Sequence, residues 1–126
     1  MTISDFEALT PDLILDSIET ALKTRLTGLT SALPSYINRV YALQTSGGEG
    51  LVAKFYRPGR WSFEALQEEH SFVRDCADAE IPVIPPMRLA DGTTLGRTAG
   101  NIYFAVYPKR WGRELEVQED IVWRRL

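Results

Sequence analysis

Between Gly47 and Tyr56 the chain reads GGEGLVAKFY, a glycine-rich turn followed by a run that is apolar except for Lys54. Such a turn between β-prone runs is a hairpin signal, so Leu51 to Tyr56 is expected to be the second arm of an antiparallel pair. Side chains alternate across a strand. Val52 and Lys54 therefore share one face, and Ala53 and Phe55 share the other. A lysine on a buried face is costly unless an anionic group meets it. Taken alone, a strand lysine is more often one whose stem runs along apolar surface with its head in water. What decides between the two is whether a carboxylate is aimed back at it.

The next segment, WSFEALQEEHSFVRDCADAE, has the spacing of a helix, with Ser62 placed to cap its start. Leu66, Glu69, Val73 and Cys76 follow steps of three, four and three and form one stripe. A glutamate inside an apolar stripe faces the core and needs a partner, and Lys54 is the nearest preceding charge that needs one. Glu68 lies about 100° round the helix, on the side of Phe72, and is the weaker choice. His70 is expected to be a partly buried structural residue. A strand lysine, an inserted helix and an inward glutamate together point to a Lys54–Glu69 pair.

The remaining segments surround this unit. In LTPDLILDSIETALKTR, Thr10 is a cap and Pro11 suits the first helical position, with Leu15, Ile18, Leu22 and Leu26 at helical spacing. After Gly28 come two extended runs broken at Pro34–Ser35. IPVIPP is a stiff connection, MRLADGTTLGR a strand and turn with Asp91–Gly92 at the bend, and NIYFAVYP a further apolar strand. The order defines an α+β domain: about five antiparallel strands, a helix inserted after the third, and an extra N-terminal helix. That is the layout of a protein-kinase N-terminal lobe. The expected divisions are a helical extension at 1–27, the lobe at 28–108, and a hinge exit with the start of a second lobe at 109–126.

A net charge of −3 gives no general attraction to nucleic acid or anionic lipid. Arg57, Arg60 and Trp61 form one small basic-aromatic turn, best explained as a loop packed on the helix start. A single cysteine, Cys76, excludes an internal disulfide. With no signal peptide and no apolar run of membrane-spanning length, the expectation is a cytoplasmic protein with no membrane partner.

The tracts LPSYINRVYAL, LVAKFYRPGRW, EEHSF, EIPVIPP and YFAVYPKRWGRELE resemble the stress response kinase A family. These are bacterial serine/threonine protein kinases with a fold akin to aminoglycoside and choline phosphotransferases. The resemblance runs from about Phe6 to about Leu126. It implies that ATP is bound, that Lys54 meets its phosphates, and that Glu69 is the helix glutamate. It also implies that Val52 covers the adenine. Ser35 falls where the family has a serine beside the phosphates, with Tyr36 and Asn38 in the same loop. Tyr107, Pro108 and Lys109 match the hinge whose backbone meets the adenine edge. Two positions depart from the family pattern: Pro34 stands for an asparagine and Ile37 for a glutamate. Ser35 is also explained simply as a turn former.

Kinase chemistry needs an aspartate five residues before an asparagine and a further metal-binding aspartate. Leu33 and Gly96 occupy those positions before Asn38 and Asn101, and no D-F-G or D-x-D occurs. The magnesium ligands and catalytic base are thus expected in a C-terminal lobe outside these residues, and the lobe alone is expected to be inert. An open sheet face, with Trp111, Trp123 and Leu126 unpartnered, would favour self-association. The family resemblance implies a protein substrate. A non-catalytic binding module and the lobe of a small-molecule kinase are the alternatives.

Overall fold

The computed structural model describes residues 6, 9–35 and 37–109. Seven elements follow in chain order: α1 (Pro11–Leu22), β1 (Leu26–Leu33), β2 (Arg39–Thr45), β3 (Gly50–Phe55), α2 (Phe63–Asp78), β4 (Gly96–Arg97) and β5 (Tyr103–Pro108). The strands form one sheet in the order β1-β2-β3-β5-β4, and every neighbouring pair is antiparallel. This is the α+β architecture that the order of sequence segments implies.

α1 begins where its local chemistry says it should. Thr10 Oγ1 accepts the Leu13 N–H at 3.2 Å, Pro11 occupies the first turn and Asp12 faces the positive helix end. Its end differs from the expectation. Lys23 adopts the left-handed conformation, with φ 53°, and closes the helix at Leu22. Leu26 therefore belongs to β1 rather than to the helical stripe, and its N–H donates to Glu19 Oε2 at 2.8 Å. The buried positions of the helix are Ile14 and Ile18. They join Leu43, Leu51, Ala53, Phe55, Phe104 and Val106 in one core, so α1 is a packed layer of the sheet.

Gly28 has φ +94° and lies where the β1–β2 register slips between Leu26 and Thr30. That bulge needs a residue that enters positive φ without strain. The β2–β3 hairpin is closed by Thr45 N–H donating to Glu49 O at 2.8 Å. Thr45 Oγ1 in turn accepts the Glu49 N–H at 3.0 Å.

β3 lies between β2 and β5 and is buried on both faces. Leu51, Ala53 and Phe55 face the α1 layer. Val52 faces the α2 side with Val40, Leu66, Ala105 and Tyr107. The run from Met87 forms no strand until Gly96. Met87 N–H goes to Val106 O, Leu89 N–H to Thr93 O, and Ala90 N–H to Ala21 O of α1. Three donors that go to three different segments, β5, a local turn and α1, cannot make a ladder. On the α2 side of the sheet Val52, Ala105 and Tyr107 are all buried. Among the described residues the exposed large apolar side chains are instead Leu29, Phe63 and Ile81. Trp111, Trp123 and Leu126 lie outside the described residues.

Candidate functional site

Lys54 is 5% exposed and Glu69 4% exposed, so the lysine head is not in bulk water. Ser62 starts the helix by accepting the Ala65 N–H at 3.1 Å. From that start the stripe Leu66, Glu69, Val73 and Cys76 turns onto the sheet, with His70 beside it. Glu68 is exposed. Lys54 Nζ lies 4.0 Å from Glu69 Oε1. The ammonium also sits 5.1 Å from the ring centre of Tyr56 and 5.5 Å from that of Tyr107. A carboxylate and two aromatic rings therefore surround it, and each attracts a cation.

The floor beside it is apolar: Val40, Val52 and Ala105 are buried on this face. A site of this kind suits a ligand that carries both an anionic group and an apolar ring. Among the described residues no three His, Cys, Asp or Glu side chains gather as metal ligands. No helix among them is long and apolar enough to cross a membrane.

The other sequence candidates are placed as follows. Ser35 is exposed in the link between β1 and β2, and Tyr36 in the same link lies outside the described residues. Asn38 is buried, and its Oδ1 accepts the Arg57 N–H at 3.2 Å. Arg57 Nε donates to Ile37 O at 3.0 Å, so the arginine fastens the β1–β2 link to the end of β3. The Asn38 amide oxygen is thus spent on the fold. Tyr107 is buried beside Lys54, and Pro108 pairs with Leu51 at the end of the sheet. The Lys109 N–H donates to Gly50 O at 3.1 Å. This bond joins the end of the expected hinge segment to the start of β3.

Tyr56 and Thr94 were not singled out by the sequence reading. Tyr56 OH donates to Glu69 Oε1 at 3.0 Å and lies 2.9 Å from His70 Nε2. His70 Nδ1 is 2.8 Å from Thr94 Oγ1. The signal for Tyr56 was its spacing, since two residues beyond Lys54 places it on the same face. Burial raises the Tyr56 hydroxyl pKa well above its ordinary value, with Tyr107 and Glu69 adding to the effect, so it stays protonated.

Burial, and then the Lys54 ammonium, lower the His70 pKa to about 4. An unfolded histidine, near 6.5, binds a proton that the folded one refuses across the interval from about 6.5 to 4. Stability therefore falls as pH drops through that window, by about 2 kcal/mol at pH 5. Urea unfolding at pH 7.5 and pH 5 measures this. His70→Gln, which cannot titrate, should remove most of the difference; an unchanged difference would place its source elsewhere.

A five-stranded antiparallel sheet with a helix inserted after the third strand, and a lysine of that strand paired to a glutamate of that helix, is the kinase-like N-terminal lobe. The chain belongs to the phosphotransferase enzyme family, whose model matches residues 30–125. It is 41% identical over 112 residues to stress response kinase A of Escherichia coli (strain K12), covering 88% of this chain and 33% of that one. It is 38% identical over 111 residues to the serine/threonine protein kinase RdoA of Salmonella typhimurium (strain LT2), again covering 88% and 33%. The chain thus spans about a third of the length of these curated relatives. Among solved structures, the amicoumacin kinase hAmiN, in complex with AMP-PNP, Ca2+ and Ami, superposes with a TM-score of 0.68. The match covers 80% of this chain and 31% of that one at 21% identity, and it supports the shared fold.

Proposed function

We propose that this chain is the nucleotide-covering lobe of an ATP-dependent protein serine/threonine kinase. In this reading the Lys54 ammonium meets the α/β-phosphates of ATP, and Glu69 holds it in position. Val52, with Val40 and Ala105, covers the adenine. The Ser35 hydroxyl and nearby backbone N–H groups lie beside the phosphates, and Tyr107 and Pro108 border the adenine edge. Magnesium and the catalytic aspartate belong to a second lobe, because the motifs for both are missing from this sequence. The reading extends to a cytoplasmic role in a stress response, by likeness to the relatives.

One observation carries it: a lysine buried in the middle strand, within 4.0 Å of a carboxylate buried on the neighbouring helix. Phosphoryl transfer depends on positioning and charge neutralisation, and a fixed cation beside an apolar floor supplies both. A protein acceptor is favoured by the likeness to the serine/threonine protein kinase RdoA, at 38% identity over 111 residues.

Calorimetric titration of the full chain with ATP, with and without magnesium, tests the reading. Weak binding that changes little with magnesium is expected. Lys54→Met should reduce affinity at least about tenfold, the worth of one hydrogen bond to a charged group. Equal affinity in the two proteins would overturn the assignment of Lys54.

A further inference from the structure

We infer that Tyr56 is a positioning residue for the Lys54 site, and that His70 holds Tyr56 in the orientation this requires. The inference rests on the proposed nucleotide role of Lys54 and adds to it the groups that fix Glu69.

The geometry begins at a single oxygen. Glu69 Oε1 is 4.0 Å from Lys54 Nζ but only 3.0 Å from the Tyr56 hydroxyl. At 4.0 Å an ammonium attracts a carboxylate without fixing its direction; at 3.0 Å a hydroxyl does fix it. Tyr56 therefore helps to set where the carboxylate points. Its ring does a second task, lying 5.1 Å from the same ammonium. Both follow from position, because Tyr56 is two residues beyond Lys54 and faces the same side of the sheet.

The protons along this chain can be assigned. A carboxylate beside an ammonium only accepts hydrogen bonds, so the Tyr56 O–H proton is directed at Glu69. The Tyr56 hydroxyl also hydrogen-bonds Tyr107, and with its proton directed at Glu69 its oxygen is free to accept from His70 Nε2, 2.9 Å away. Nδ1 is left as an acceptor, and the Thr94 hydroxyl donates to it across 2.8 Å. Each group in the series Thr94, His70, Tyr56, Glu69 donates to the next, and the series ends on the carboxylate facing Lys54. A neutral imidazole is required, as expected for a buried histidine beside a lysine.

The series also joins three parts of the fold. Tyr56 follows β3, Glu69 and His70 belong to α2, and Thr94 lies in the connection before β4. Behind α2 a groove of about 800 Å³ is lined by His70 and Thr94 together with Arg74 and Arg88. His70 and Thr94 thus reach this groove, while Lys54 and Glu69 do not.

The test is nucleotide affinity of full-length Tyr56→Phe, His70→Leu and His70→Gln beside wild type and Lys54→Met, each checked to be folded at the assay temperature. Tyr56→Phe keeps the ring and loses only the hydroxyl, and should weaken binding about tenfold. His70→Leu should weaken it by a similar factor. His70→Gln, whose amide can still donate to the Tyr56 oxygen, should restore most of it. Wild-type affinity in Tyr56→Phe, with only a lowered melting temperature, would make the residue merely structural and overturn the inference.

If wild type itself binds no nucleotide, the proposed function fails, and a stability cycle decides the positioning claim separately. Tyr56→Phe and Lys54→Met should then be coupled at least about fivefold in the unfolding constant, because the hydroxyl acts on the ammonium through Glu69. Additive effects would overturn the inference even so.

Discussion

Glu69→Ala is expected to lower folding stability by about 3–5 kcal/mol, the range for removing one member of a buried ion pair. Glu69 and Lys54 are both nearly inaccessible to water, and the same carboxylate oxygen accepts from Tyr56. The alanine therefore takes a counter-charge from a buried ammonium and an acceptor from a buried hydroxyl in one step. Glu69→Gln retains an acceptor for Tyr56 and loses only the charge, so its cost should lie between alanine and wild type. Exchanging both members, Lys54→Met with Glu69→Leu, should recover part of the stability, because apolar side chains replace a buried ion pair at little cost while the Tyr56 hydroxyl still loses its carboxylate acceptor. Glu68→Ala, one residue away on an exposed position, should change stability by no more than about 0.5 kcal/mol. Urea unfolding of the four proteins gives the order. A Glu69→Ala protein as stable as Glu68→Ala would mean that the carboxylate is solvated.

Gly96→Val is expected to cost at least about 3 kcal/mol, at or above the usual range for overpacking a core. A Cβ at Gly96 would lie 2.6 and 2.8 Å from Cε1 and Cε2 of Phe104, and closer still to Cζ. The ring has no room to retreat. Phe104 is 1% exposed and packs 5.5 Å, centre to centre, from Phe55 on β3. The residue opposite Gly96 in the β4–β5 pairing is Phe104 itself, so the glycine gives the ring its seat. Gly96→Ala meets the same contact with fewer atoms and should cost about 2 kcal/mol. Thermal unfolding of both variants checks this. Melting temperatures equal to wild type would show that β4 does not pair against the ring in this register.

Much of the site was legible because it depends on short-range periodicity. Period two put Lys54 and Val52 on one face of β3, and steps of three and four put Glu69 among Leu66, Val73 and Cys76. The caps at Thr10 and Ser62 were legible for a similar reason, since a hydroxyl and an N–H three residues on are local partners. Features that depend on distant segments were not legible. Leu26 continues the spacing of α1 on paper, but a left-handed lysine at position 23 ends the helix first, where glycine would have been the usual signal. Asn38 resembles a ligand-contacting loop residue until the hairpin returns Arg57 to it, 19 positions later. That the Lys109 N–H meets Gly50 O follows only from the pairing of β5 with β3. Tyr56 and His70 are unremarkable in the sequence; the docking of α2 on β3 is what links them.

The Lys54 ammonium can be observed directly by side-chain ¹⁵N NMR. Only three lysines are present, and the other two, Lys23 and Lys109, are exposed, so Lys54→Met assigns the signal at once. Slow proton exchange is expected at this nitrogen, with a resonance displaced by the rings of Tyr56 and Tyr107 and a further displacement that saturates as ATP is added. A fast-exchanging signal at the position of a free lysine, unmoved by ATP, would contradict both the inward geometry and the function proposed from it.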